Sequence, residues 1–192
     1  DYQYGIKIDW WKEHPVGNSI FAHDLKDDFL AGYDHGRKAG TMLVANHHIV
    51  KGCKFWSWSS NAGWDTKILT DNSGHYIELM QGAFSDNQPD YSWTWPYETR
   101  TFTKYWYGIR DMGGVKKGSK EAALNMEIVE DGKLLIGVNA TEKVKGFTVE
   151  LSKDGKVFFS EKIDAAPDAP FVKTLDIAKG AKESEFTMKV KD

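Results

Sequence analysis

Two stretches decide the architecture: Leu124-Asn-Met-Glu-Ile-Val-Glu-Asp-Gly-Lys-Leu-Leu-Ile-Gly-Val-Asn-Ala140 and Phe147-Thr-Val-Glu-Leu-Ser-Lys-Asp-Gly-Lys-Val-Phe-Phe-Ser-Glu-Lys-Ile163. In each, two runs with alternating apolar and polar positions flank an Asp-Gly pair, Asp131-Gly132 or Asp154-Gly155. Alternation with a period of two puts one face of a strand in a core and the other in water. Asp-Gly accepts the positive φ values of a two-residue hairpin turn, so each stretch reads as a β-hairpin. Strands are expected at 124–129, 133–140, 146–152, 156–163, 171–177 and 185–190. About six short strands in about 70 residues are most simply a small immunoglobulin-like sandwich.

Upstream, Asp111-Met-Gly-Gly-Val-Lys-Lys-Gly-Ser-Lys120 has three glycines, three lysines and little to bury, which is the composition of a linker. It divides the chain into a first module, 1–110, and a second, 121–192. The two differ in content: all eight Trp, all eight Tyr and all six His fall at or before Tyr107, and Phe is the only aromatic beyond it. Helical periodicity is scarce in the first module too. Strands are expected at 41–50, 53–58, 75–82 and 100–109, with turns at 61–63 and 71–74. Ser85 to Tyr97, polar and aromatic with Pro89 and Pro96, reads as a long ordered loop of the kind that carries function. The fold class is therefore all-β.

Charge and cysteine narrow the chemistry. With 25 Lys plus Arg against 28 Asp plus Glu the net charge is −3, and the lysines after residue 115 are interleaved with acids, so no basic stripe for nucleic acid is present. Cys53 stands alone, which excludes an intrachain disulfide and a cysteine-based zinc site. No run approaches the ~18 apolar residues of a membrane span. No cofactor motif and no metal site is expected: His47 and His48, adjacent on an expected strand, point to opposite faces and cannot share an ion without a bulge. The acidic cluster 24–28 lacks calcium-loop spacing and reads as a solvated turn.

Strand alternation also assembles candidate groups. Trp56 and Trp58 share a face, as do Trp93 and Trp95 if extended, while in Tyr76-Ile-Glu-Leu-Met80 the apolar pair Ile77 and Leu79 faces the core and leaves Glu78 beside Tyr76 on the other side. Most tryptophans in a sandwich are core. Even so, paired indoles with a loop holding Asn87, Gln88 and Asp90 match what a sugar requires: flat apolar rings for its C–H faces, and planar amides and carboxylates for its hydroxyls.

The run Gly32-Tyr33-Asp34-His35, Ala45-Asn-His-His48, Trp56-Ser-Trp58, Trp64-Asp65, Leu69-Thr-Asp71, Tyr76-Ile-Glu-Leu-Met80, Asp86-Asn-Gln-Pro-Asp90, Pro96-Tyr-Glu98 and Tyr105-Trp-Tyr107 resembles a bacterial domain family of unknown function. Its members often occur with tetratricopeptide repeats and are grouped with the galactose-mutarotase-like sandwiches. The resemblance covers roughly residues 5 to 110. It implies a partial galactose-mutarotase-like β-sandwich ahead of the immunoglobulin-like one. A fainter similarity to the mutarotases matches their sugar-contacting Gly-Tyr-Asp-His motif to Gly32–His35. It also matches their general-base Glu strand to Ile77–Met80, and their Pro-Gly-Glu turn to Pro96-Tyr97-Glu98. A second register competes, in which Tyr76 to Gly82 matches the preceding mutarotase strand and Glu78 has no counterpart.

What the resemblance implies is a carbohydrate-binding or carbohydrate-processing protein. Glu78 would be a general base at an anomeric centre and His48, or a histidine upstream, a general acid. Trp56, Trp58, Trp64, Trp93 and Trp95 would stack on sugar, and Asp34, His35, His47, Asn87, Gln88 and Asp90 would read its hydroxyls. A hydrolase or lyase would need a second carboxylate or a Tyr about one sugar unit from Glu78, and Glu98 is the nearby acid to test. Only the later half of such a sandwich is present, so the expected partners, besides a carbohydrate, are the rest of a longer parent chain or a second copy pairing through exposed strand edges. A bacterial periplasm or cell envelope is the expected compartment. The alternative is a non-catalytic docking module of a larger envelope protein.

Overall fold

The computed structural model describes residues 5–22, 24–57, 70–71, 73–82 and 93–192, together with the backbone of 2–3. It is built almost wholly of antiparallel strands: β1 (Tyr2–Gln3), β2 (Ile6–Lys7), β3 (Asn18–Ala22), β4 (Phe29–Asp34), β5 (Ala39–Ala45), β6 (Gly52–Ser57), β7 (Ile77–Gly82), β8 (Lys104–Arg110), β9 (Lys117–Gly118), β10 (Ala122–Glu130), β11 (Lys133–Ala140), β12 (Val144–Lys153), β13 (Lys156–Ala165), β14 (Phe171–Asp176) and β15 (Phe186–Lys191). Short 3-10 turns lie at Trp11–Glu13 and Glu183–Glu185. The all-β expectation from the sequence is met. The chain forms two compact units, Asp1–Leu30 with Ala45–Lys104, and Ala31–Val44 with Tyr105–Asp192. Each unit thus takes chain from two separate stretches.

In the second unit, both Asp-Gly hairpins are present. Glu130 pairs with Lys133 across Asp131-Gly132, and Lys153 with Lys156 across Asp154-Gly155. Asp154 and Gly155 both have positive φ, at 50° and 76°, the signature of a type I′ turn. The chain then crosses between sheets. β14 returns to β11 in the sheet β14-β11-β10-β9, and β15 returns to β12 in the sheet β13-β12-β15. This exchange between two antiparallel layers is the connectivity of an immunoglobulin-like sandwich. Leu134, Ile136 and Val138 from one sheet meet Val149, Leu151, Ile163 and Phe186 from the other. They are the inward positions of alternating runs.

Residues 111–120, which the composition reads as a linker, are packed. Met112 is completely buried, and Lys117–Gly118 pairs with β10. Two buried amides hold the segment. Asn125 Nδ2 donates to the Met112 carbonyl at 2.9 Å, and Asn139 Oδ1 accepts the Arg110 N–H at 2.9 Å. Gly137 lies beneath Met112: a Cβ there would stand 2.9 Å from Met112 Cβ and 3.0 Å from its carbonyl oxygen. Glycine and lysine content therefore marks a chain that runs close over a sheet, not one that hangs between domains.

In the first unit, β6 is the middle strand of the sheet β3-β6-β7. Its register pairs Ser19 with Trp56 and Trp56 with Glu78, and in the neighbouring position Phe55 lies between Ile20 and Leu79. Cys53, Ser57 and Gln81 are buried on the Phe55 side. There the His14 ring meets Phe55 edge to face with centroids 5.6 Å apart, and its Nε2 is 3.0 Å from the Ile8 carbonyl. The N-terminal segment thus covers one face of this sheet.

Asn139 supports a prediction. Its Nδ2 also donates to the Ala166 carbonyl at 3.0 Å, so Asn139→Ala removes hydrogen bonds to two segments at once and takes the side-chain acceptor from the part-buried Arg110 N–H. Leaving buried polar groups unpaired costs about 1–3 kcal/mol. The calorimetric unfolding midpoint of the second unit should fall by roughly 4–8 °C per kcal/mol lost. An unchanged midpoint would show that the amide clamp contributes nothing.

Candidate functional site

The register of β6 against β7 creates the most chemically equipped cluster among the described residues. Because Trp56 and Glu78 are directly paired across the strands, their side chains leave the sheet on the same face. Tyr76, two residues before Glu78, joins them. Its ring lies 5.7 Å from that of Trp56 at an interplanar angle of 49°, and its hydroxyl donates to Glu78 Oε1 at 3.1 Å. All three are half-buried. Burial in the first place, and the bond to Glu78 in the second, raise the Tyr76 phenol above its ordinary pKa, so it stays a donor. The result is a carboxylate oriented by a phenol on the strand position directly opposite an indole. Lys54 shares this face and lies over the Phe21 ring, 5.8 Å from its centroid.

The two adjacent histidines are arranged differently from the expectation. The strand expected over 41–50 ends at Ala45, and 46–50 is a turn. Asn46 caps it: Oδ1 accepts the His48 N–H at 2.9 Å, and the carbonyl accepts from Ile49 and Val50 at 3.0 and 2.8 Å. Out of a strand, successive side chains need not alternate, and the rings of His47 and His48 approach to 4.0 Å. Asp28 is the anchor. Its Oδ1 accepts the His47 N–H at 2.8 Å and the Nδ1–H at 2.6 Å, leaving Nε2 of His47 as the nitrogen turned away from the carboxylate. Asp28 was read as part of a solvated turn; a carboxylate 19 positions away from its partner leaves no local signal in a sequence.

The remaining candidates are dispersed. Asp34 Oδ1 accepts from the Gly36 and Arg37 N–H groups at 2.8 and 3.1 Å, so this carboxylate closes its own hairpin turn. The Tyr33 ring meets His35 edge to face. Asp34 and His35 belong to the second unit, and His47, His48, Trp56 and Glu78 to the first. Trp93 and Trp95 are exposed. Trp58, Trp64, Asn87, Gln88 and Asp90 lie outside the described residues. Glu98, named as a possible second acid, is committed elsewhere. It forms an ion pair with Arg100 and accepts the Trp95 N–H at 2.8 Å. The Arg100 guanidinium, followed by that N–H, holds its carboxyl below the ordinary range. Among the described residues no group of three or more His, Cys, Asp or Glu could hold a metal ion, and no helix is long and apolar enough to cross a membrane.

Asp28 also generates a pH prediction. Its carboxyl sits below the ordinary value because of the His47 backbone N–H first and the ring N–H second. A depressed carboxylate stabilises the fold above its unfolded pKa and loses that contribution as pH falls through the folded value. The His47 amide should therefore stay protected from hydrogen exchange down to about pH 4 and lose protection below it. In Asp28→Asn the protection should be weaker above about pH 4 and its acid transition gone; a transition that survives in the variant would assign it to another group.

Two family models match the chain. One, described as the second domain of YphG-like protein, matches residues 117–192. The other is described as a domain of unknown function (DUF5107) and matches residues 2–109. No solved structure matches. Since the second of these matches spans more than half of the 192 residues, the chain belongs to the DUF5107 family.

Proposed function

We propose that the first unit binds carbohydrate through aromatic stacking and is built to carry out acid–base chemistry at an anomeric centre, in the manner of a galactose-mutarotase-like sandwich. The observation that carries this reading is the Trp56–Tyr76–Glu78 cluster. An indole face suits the C–H surface of a pyranose. A carboxylate beside it, held by a phenol, is placed to accept a hydroxyl proton, a step that typically supplies 10²- to 10⁴-fold. In this reading Glu78 is the base. Its acid partner is a histidine: His48 on the 46–50 turn, or one upstream in a longer parent chain. Trp58, Trp64, Trp93 and Trp95 add stacking surface, and His47, Asn87, Gln88 and Asp90 supply hydroxyl contacts; Asp34 and His35 belong to the second unit and are not part of this site.

The immunoglobulin-like unit has no Trp, Tyr or His beyond Tyr107 and is proposed as structural support. A periplasmic or cell-envelope setting suits a sugar ligand. A second reading, a non-catalytic docking module, is favoured by the outward rings of Trp93 and Trp95, which need no chemistry to act. The two readings separate by substitution. Trp56→Ala should weaken sugar binding about tenfold, the equivalent of ~1.4 kcal/mol of ring contact. Glu78→Gln should keep binding and abolish mutarotation or glycoside turnover, followed by polarimetry or reducing-end release. Binding by the wild type without turnover would leave the docking reading, and turnover that survives Glu78→Gln would remove Glu78 as the base.

A further inference from the structure

The most exposed large apolar side chains among the described residues of the first unit are Tyr97, Trp93 and Trp95, at 105%, 82% and 74% of full exposure. They lie within five residues of one another, and their backbone is not loose. The Glu98 N–H donates to the Trp95 carbonyl at 3.0 Å, closing a turn over Trp95-Pro96-Tyr97-Glu98. Proline in its second position suits the fixed φ of that site. Tyr97 occupies the third position at φ +68°, where a type II turn normally takes glycine. A tyrosine held in the left-handed region costs free energy that glycine would not, and such strain persists where the surroundings over-determine it.

The surroundings here are one ion pair. Glu98 Oε2 accepts the Trp95 N–H at 2.8 Å, Glu98 Oε1 takes the Arg100 Nε–H, and Arg100 Nη2 donates to the Trp93 carbonyl at 2.6 Å. The pair therefore grips the main chain at two of the ring-bearing residues and closes the turn that carries the third. Both side chains are less than one-third exposed, while the rings they position stand in water. Because Glu98 and Arg100, the charged groups among the described residues 93–100, pair with each other, the stretch carrying Trp93, Trp95, Pro96 and Tyr97 has no net charge of its own to offer a phosphate, a carboxylate or an ammonium group. Flat, uncharged rings on a main chain already held in place suit a ligand with flat apolar faces and no ionic group, and holding that backbone beforehand lowers the ordering cost of binding.

We propose that Trp93, Trp95 and Tyr97 form a pre-set aromatic platform for a neutral oligosaccharide, with Glu98 and Arg100 as positioning residues. This rests on the carbohydrate reading above and adds to it the uncharged ligand class, a third ring and the brace that holds all three.

The test is affinity electrophoresis of the full chain through gels containing laminarin, galactomannan, xyloglucan or polygalacturonate, followed by titration calorimetry with oligosaccharides cut from whichever polymer retards it. The wild type should be retarded by at least one neutral polymer and not by polygalacturonate. Tyr97→Gly removes the ring and relaxes the turn, and should weaken binding about tenfold; Tyr97→Phe should bind as the wild type does. Arg100→Gln keeps every ring but frees the backbone. It should weaken binding comparably with an unchanged unfolding midpoint, the loss appearing in binding entropy instead of enthalpy. If a neutral polymer retards the wild type and both Tyr97→Gly and Arg100→Gln equally, while Trp56→Ala is released, the platform is overturned and the carbohydrate reading stands. Retardation by polygalacturonate alone overturns the neutral-ligand assignment. No retardation in any gel overturns the carbohydrate reading and the platform together.

Discussion

The pairing of Trp56 with Glu78 across β6 and β7 is the constraint on which the candidate chemistry depends. A strand delivers alternate side chains to opposite faces, so a slip of one residue would send Trp56 into the layer occupied by His14 and Phe55 and bring Cys53 and Phe55 out in its place. What prevents the slip is the other face. Cys53, Ser57 and Gln81 are buried there, and the N-terminal segment lays His14 against Phe55. The covered face thereby sets the register, and the register puts a carboxylate, a phenol and an indole together on the face opposite.

The second unit rests on the same alternation but spends it on packing. Leu134, Ile136 and Val138 meet Val149, Leu151 and Ile163, so the inward positions of β11, β12 and β13 are consumed by the core. On the opposite face of β10 and β11 two buried positions are polar, Asn125 and Asn139, and both bind the backbone of the segment passing over it. Buried amides of this kind stabilise only when they find partners, and here the partners are the carbonyl of Met112 and the N–H of Arg110. That is how a glycine-rich stretch becomes part of a sheet's cover.

Local rules carried far in some places and stopped abruptly in others. The Asp-Gly hairpins were legible because turn chemistry and alternation act within a few residues, and the strands observed beyond residue 120 differ from the expected ones by a residue or two at their ends, whereas the strand expected at 100–109 begins at Lys104. The separation of Glu78 from Ile77 and Leu79 was legible for the same reason. The strand expected through 41–50 overran because Asn46 and Asp28 together stabilise a turn there, and half of that stabilisation comes from outside the segment. Strands 18–22 and 29–34 carried no clear periodic signal; they are strands because β6 and β5 lie beside them. The left-handed conformation of Tyr97 was equally hidden, since Pro-Tyr-Glu does not announce a turn that usually asks for glycine.

By itself, the sequence determined that this protein is all-β, that its Trp, Tyr and His are confined to the residues up to Tyr107, and that its C-terminal part is a hairpin-built sandwich. Each of these follows from composition or from interactions between residues close in the chain. Only the tertiary structure decided that Trp56 stands beside Glu78, that His47 is held by Asp28, that Asp34 is taken up by its own turn, and that one ion pair braces three exposed rings. These are pairings whose free energy arises when distant or non-repeating segments are brought together, and no local pattern encodes which partner a strand, a carboxylate or a guanidinium will meet.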